Sequence, residues 1–183
     1  MRPSSRTMIL EAALRVAGQR GIGSLTLDAA AQEAGVSKGG LIYHFANKEQ
    51  LMLAVVEHVI AGWDQAMVAE LGGPFDEASV AERVRAYSRV ITGATTGSAD
   101  LAIFVDSVHD DALLRPWRAL LERWLGTPPA VPDPGAVDRA VARLAADGLW
   151  LADASASGGY GTEMRAAITA RIDRLAEGAE GDS

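Results

Sequence analysis

Residues 26–45 read Thr-Leu-Asp-Ala-Ala-Ala-Gln-Glu-Ala-Gly-Val-Ser-Lys-Gly-Gly-Leu-Ile-Tyr-His-Phe. Thr26 and Ser37 are residue types whose side-chain oxygen accepts from the first free N–H groups of a helix, so each marks a helix start. Asp28 suits the positive end of the first helix. Gly35 between them supplies a residue able to take a positive φ. Two short helices follow, 27–34 and 38–45, joined by a tight turn. Ala30 and Ala31 are small enough to let the helices cross closely, and Val36, Leu41 and Phe45 supply the inner face. That pattern is a helix-turn-helix. Its outward face offers Ser37, Lys38, Gly39, Gly40, Tyr43 and His44, and Lys48 begins the next helix. Hydroxyls, an ammonium, an imidazole and two residues without bulk suit the floor and walls of a major groove.

Outward from this stretch the chain continues to favour helix. Only 5% of its residues are aromatic, and Ala, Leu, Arg and Glu dominate between Gly and Pro breaks. A first helix is expected over 5–20, stopped by Gly21, with Ile9, Ala13, Val16 and Ala17 on one face. A fourth runs from about 47 to 71, and Gly72-Gly73-Pro74 ends it. Helices are then expected at about 76–92, 99–108, 112–125, 135–156 and 161–177, with Pro116 tolerable only near a helix start or as a kink. The expected division is 1–47 for the helix-turn-helix domain, 48–71 for a connecting helix and 72–183 for a helical body. The fold class is all-α, with about nine helices.

The 183 residues carry 49% hydrophobic and 22% charged side chains, enough for a packed core. There is no cysteine, which removes disulfides, thiolate nucleophiles and zinc fingers together. The net charge of −7 is unevenly spread. The first fifty residues hold six cations against four anions, and the rest eleven against twenty. A mildly basic head joined to an acidic body fits a nucleic-acid-binding module on something that must not bind it, although so small an excess also arises by chance. Glu11 and Arg15 break the first apolar run, Met8-Ile9-Leu10, so no signal peptide is expected. No uninterrupted apolar stretch approaches a membrane span, and a cytoplasmic location is the default.

Residues 1–60 resemble the DNA-binding domain of the tetracycline-repressor (TetR) family of bacterial transcription regulators. The resemblance rests on the first helix followed by Gly21-Ile22, then on Thr26 leading Ala29-Ala30-Ala31. It continues through Ala34-Gly35-Val36-Ser37-Lys38-Gly39, Tyr43-His44-Phe45 and Asn47-Lys48-Glu49-Gln50-Leu51. Position 42 departs from the pattern, since the family often has an aromatic where this chain has Ile42. The resemblance implies a three-helix DNA-binding head and a C-terminal domain that dimerises and commonly binds a small molecule. A homodimer on a palindromic double-stranded operator, released by a lipophilic effector, is the resulting expectation. Thr26, Ser37, Lys38, Gly39, Gly40, Tyr43, His44 and Lys48 are the candidate DNA-facing residues. For the two lysines the bland alternative is surface charge. For Tyr43 and His44 it is packing, and for the glycines a loose helix that orders on binding.

In the body, large apolar walls with few polar groups would line an effector pocket. Met67, Tyr87, Ile91, Phe104, Trp117, Leu121 and Trp150 are the candidates, each equally open to being plain core. Asp147 shares a face with Trp150 and would orient a cationic or hydrogen-bonding ligand. Val141, Leu144, Gly148, Leu151 and Ala152 on one helix, with Met164, Ile168 and Ile172 on the next, are candidates for a two-fold dimer interface, intrachain core being the alternative. Asp106, His109, Asp110 and Asp111 are close enough in sequence to suggest a metal site, but a solvated helix end explains them better. No metal and no cofactor are expected. No phosphate loop and no Ser-His-Asp spacing stand out, so no enzyme activity is expected. The rival is a helical small-molecule-binding or catalytic protein that kept only the fold of the head, and activation instead of repression also stays open.

Overall fold

The computed structural model describes residues 4–93, 97–131 and 133–178, without the side chain of Ile22. Among the described residues nine α-helices and no strand occur. They are α1 Ser5–Arg20, α2 Leu27–Ala34, α3 Lys38–His44, α4 Lys48–Leu71, α5 Val80–Ile91, α6 Ser98–Ser107, α7 Asp111–Leu125, α8 Pro134–Ala154 and α9 Thr162–Glu177. The boundaries follow from local chemistry. Ser4 caps α1 by accepting from the Thr7 N–H at 3.1 Å, and Asp133 caps α8 by accepting from the Ala136 N–H at 2.7 Å. Gly35 takes φ 67° just past α2, where a side chain would be strained.

The start of α5 is where the sequence expectation failed. A helix from 76 was expected, but Phe75–Glu77 forms a 3-10 turn and α5 begins at Val80. Ser79 and Glu82 explain it. The Ser79 Oγ accepts from the Glu82 N–H at 3.2 Å, and the Glu82 carboxylate accepts from the Ser79 N–H at 2.8 Å. This reciprocal cap sets the helix start. Pro116 lies in mid-α7 rather than at its start, and the helix runs on through it to Leu125.

The residues group into two compact units, 1–62 with 98–118 and 63–97 with 119–183. These differ from the division expected at 47 and 71, because 98–118 groups with the head. In the first unit α1 buries Ile9, Leu10, Ala12, Ala13, Val16 and Ala17. It packs against α2 and α6, while α3 packs on α2. In the second unit α5, α8 and α9 pack pairwise, with Val84, Tyr87, Ala146, Leu149, Ile172 and Ala176 buried. By length and composition α4 would pass as a membrane span, its best window averaging a hydropathy of 1.3. Its apolar residues Leu51, Val55, Val56, Val59, Trp63 and Met67 are instead buried within the protein.

Gly18 marks the tightest approach of α1 to α6. A Cβ added there would stand 2.6 Å from the Ala99 Cβ, closer than carbon atoms tolerate. Gly18→Ala is therefore expected to lower stability by about 1–3 kcal/mol, the range for overpacking, despite the better helix propensity of Ala. Urea unfolding of the two proteins measures it, and an unchanged midpoint would show that α6 shifts freely.

Candidate nucleic-acid interface

The turn between α2 and α3 is built from its caps. The Thr26 Oγ1 accepts from the Ala29 N–H at 3.0 Å and the Ser37 Oγ from the Gly40 N–H at 3.1 Å. Each hydroxyl keeps its own O–H to donate elsewhere. The Val36 N–H donates to the Ala31 carbonyl at 3.0 Å and closes the turn. Burial of Leu41 and Phe45 then decides which way α3 faces. Lys38, Gly39, Gly40, Ile42 and Tyr43 are left exposed, Tyr43 at 87%. Beyond the helix's own backbone and the adjoining residues, no atom lies within 4 Å of where a Gly39 Cβ would sit, so the helix has a bare start. His44 is half-buried, with its ring edge-on to Tyr43 at 5.2 Å.

Both lysines are engaged. Lys38 Nζ lies 3.0 Å from the Asp28 carboxylate, and both side chains are largely exposed. Such a pair is worth about 0–1 kcal/mol, so an incoming phosphate can take the ammonium over. Lys48 Nζ donates to the Gly23 carbonyl at 2.9 Å and keeps two further donors. Sequence reasoning assigned Asp28 only to the helix dipole. It missed Arg6, whose guanidinium stands 5.2 Å from the centre of the Phe45 ring beside the end of α3. Nothing in the spacing signals that contact, since 39 residues separate the two. At the start of α4, Asn47 Oδ1 accepts from the Gln50 N–H at 2.8 Å while Gln50 Oε1 accepts from the Ala46 N–H at 3.1 Å. That box fixes the bend between α3 and α4.

The eight residues named for an effector pocket divide between the units. Phe104 and Trp117 fall in the first, their rings edge-to-face at 5.4 Å. Met67, Tyr87, Ile91, Leu121, Asp147 and Trp150 fall in the second. There Trp150 meets Trp63 edge-to-face at 5.3 Å, and the Tyr87 hydroxyl donates to Asp147 Oδ1 at 2.6 Å. Arg143 Nε stands 3.5 Å from the same carboxylate. Asp147 is thus a partnered, half-buried acid. Among the described residues no three of His, Asp and Glu gather as a metal site. Asp110 Oδ1 accepts from the Ala112 N–H at the start of α7, and Asp111 pairs with Arg118.

On α8 and α9 the expected interface residues are mixed. Val141, Leu144, Gly148, Leu151 and Met164 are exposed, Leu144 at 66%, and Val137 joins them. Ala152 and Ile168 are half-buried. Ile172 is 2% exposed and belongs to the core of its own chain, which corrects its place on that face. The helical period put it on the stripe, but α9 also packs on α5 and turns that position inward.

Residues 9–55 match the family described as bacterial regulatory proteins, tetR family, and residues 81–177 match the tetracyclin repressor-like C-terminal domain. The HTH-type transcriptional regulator BetI of Burkholderia ambifaria is 32% identical over 188 residues, spanning 96% of this chain and 94% of that protein. Among solved structures, the multidrug binding protein EbrR complexed with imidazole is 27% identical with a TM-score of 0.57. That alignment covers 93% of this chain and 96% of the other. A member of the TetR family from Streptomyces coelicolor A3 is 22% identical with a TM-score of 0.64, covering 93% and 98%.

Burial pushes the Asp147 carboxyl above its ordinary value of 3.8, against the opposing pull of Tyr87 and Arg143. The folded chain therefore holds that proton more readily than the unfolded one. Its contribution favours the fold below 3.8 and is withdrawn as pH rises through the raised value. Urea unfolding of the native protein and Asp147→Asn, compared between about pH 4 and pH 7, should show the native protein losing ground to the variant as pH rises. A native protein that gains on the variant as pH rises would reverse the sign and refute the burial effect.

Proposed function

The chain belongs to the tetR family of bacterial regulatory proteins, and from that premise we propose that it is a ligand-responsive repressor, holding a palindromic operator as a homodimer and releasing it to a small lipophilic effector. The observation that carries this is the outward face of α3. Tyr43 stands almost free in solvent next to a helix start bared by Gly39 and Gly40, while Leu41 and Phe45 anchor the helix from behind. A short helix held rigidly from one side, with an unobstructed polar face on the other, is what entry into a major groove needs. Thr26, Ser37, Lys38, Tyr43, His44 and Lys48 are assigned to phosphates and base edges, and Arg6 joins them as a phosphate contact. Residues 1–47 carry this task, 48–71 connect, and the body 72–183 senses and dimerises through the residues of it that belong to the second unit. It acts by binding, without catalysis, in the bacterial cytoplasm where its operator lies.

The exposed face of Val137, Val141, Leu144, Leu151 and Met164 supports the dimer. An apolar surface of that continuity on a soluble regulator is normally covered. A second copy supplies the same face, as a two-fold interface requires. The effector is assigned to the second unit, among Met67, Tyr87, Ile91, Leu121 and Trp150, with Asp147 as the polar group that orients it. A neighbour described as a multidrug binding protein supports a lipophilic ligand class. An effector that favours the form with misplaced heads lowers operator affinity by its differential affinity for the two forms, typically about 1–3 kcal/mol.

Mobility shift against palindromes upstream of its own gene tests the repressor; no shift with any of them would refute it. Lys48→Ala should weaken binding to all sequences alike and reduce the slope of log affinity against log salt by about 0.9, the value for one phosphate. An unchanged slope removes Lys48 from the phosphate contacts. For the interface, Leu144→Glu places a charge at the centre of the apolar face. Light scattering should find the native protein at twice the chain mass and the variant at the chain mass, with its helical circular dichroism retained.

A further inference from the structure

In the second unit a cleft of about 190 Å³ lies beside the first turn of α5, the segment 125–129 after α7 and the first half of α8. Val80, Val84, Leu125, Pro128, Ala136 and Ala140 make its apolar walls, and Arg139 and Arg143 line it from α8. None of these residues belongs to the set assigned to the effector above. The two guanidinium groups differ in company. Arg143 has the Asp147 carboxylate. Arg139 is half-buried and, among the described residues, makes no hydrogen bond, ion pair or ring contact. Every other half-buried arginine has a partner. Arg83 donates to the Arg123 carbonyl, Arg85 pairs with Glu177 and Arg165 with Asp153.

That exception is specific. The chain carries 24 carboxylate side chains against 17 cations, so partners for a guanidinium are plentiful. Asp133 caps α8 at the Ala136 N–H, and its Oδ1 stands on the same side of Gly135 as Arg139 Nη1, 3.3 and 3.1 Å from where a Cβ would sit, without forming an ion pair with it. A Cβ on Gly135 or Gly178 would come within 3.1 or 3.3 Å of Arg139 Nη1. The guanidinium is therefore lodged where two glycines leave room for it, not waving in solvent. A half-buried guanidinium whose N–H donors meet no acceptor is under-satisfied, and its planar fork matches a carboxylate with two parallel hydrogen bonds.

We infer that this cleft binds a small amphipathic monocarboxylate, its carboxylate on Arg139 with Arg143 at its flank and its apolar body against Val80, Val84 and Leu125. Size limits the class. An apolar cavity of about 150 Å³ takes benzene, so this cleft admits one aromatic ring with a short acid arm. The site goes beyond the repressor assignment and does not depend on it.

Phenylacetate and its neutral near-isostere phenylacetamide, titrated calorimetrically into the full chain, test the inference. Phenylacetate should bind once per chain, and phenylacetamide about tenfold more weakly or worse, the loss expected for a charge-assisted contact. Arg139→Gln should cost phenylacetate about the same factor and leave phenylacetamide unchanged. Ala140→Phe, which fills the cleft, should abolish both. Equal affinity for acid and amide, no saturable phenylacetate binding up to millimolar, or unaltered binding to either variant would each overturn it. The acid–amide comparison uses the native protein, so it stands even if a variant fails to fold. Operator release is not read, so a negative result leaves the repressor assignment standing.

Discussion

Everything in the first unit depends on how closely other helices can approach α1. Ala12, Ala13 and Ala17 are fully buried along it, and Gly18 has no side chain at all where Ala99 arrives. Small residues bring helix axes together and make dispersion contacts dense. α2 settles on one part of this surface and α6 on another. With α2 in place, the left-handed Gly35 turn and the Ser37 cap leave α3 little freedom. Burial of Leu41 then turns Tyr43 outward. A polar, accessible face is thus the consequence of an apolar contact on the opposite side.

The second unit is stabilised differently, by polar groups tied into aromatic packing. Asp64 accepts from the Trp124 indole N–H at 2.7 Å and from Arg123 at 2.8 Å. Phe75 meets Trp124 edge-to-face at 5.0 Å and carries the Arg123 guanidinium 4.5 Å over its ring. This cluster explains why 75–77 is a turn rather than the first part of α5: Phe75 is held by its ring, and the Ser79–Glu82 cap then starts the helix. Arg89 similarly joins Glu70 and Asp173, and Arg165 joins Asp153 and the Thr92 carbonyl. Arginine suits these joints because its fork satisfies two acceptors at once. The body contains no lysine, so all its cations are of this kind.

The bare apolar face of α8 and the solitary Arg139 are complementary exceptions. One is apolar surface without cover and the other a sheltered charge without a partner. Each departs from the burial and pairing of its surroundings, and such departures are where binding is to be sought. They sit on one helix, with Val141 and Leu144 exposed and Arg139 and Arg143 lining the cleft.

The all-α class, the helix-turn-helix and its family were legible in the chain alone, because their determinants are local. Caps at Thr26 and Ser37, the turn at Gly35 and apolar positions at helical spacing act within a few residues of themselves. Most helix ends were legible within one or two residues for the same reason. Tertiary structure alone decided what depends on distant neighbours: that 98–118 groups with the head, that Arg6 stacks on Phe45, and that Asp147 is partnered by Tyr87. It also decided that Ile172 faces inward while Leu144 faces out, although each fits the apolar stripe of its own helix. Periodicity states that a face is apolar; only the arrangement of the other helices determines which part of it they cover.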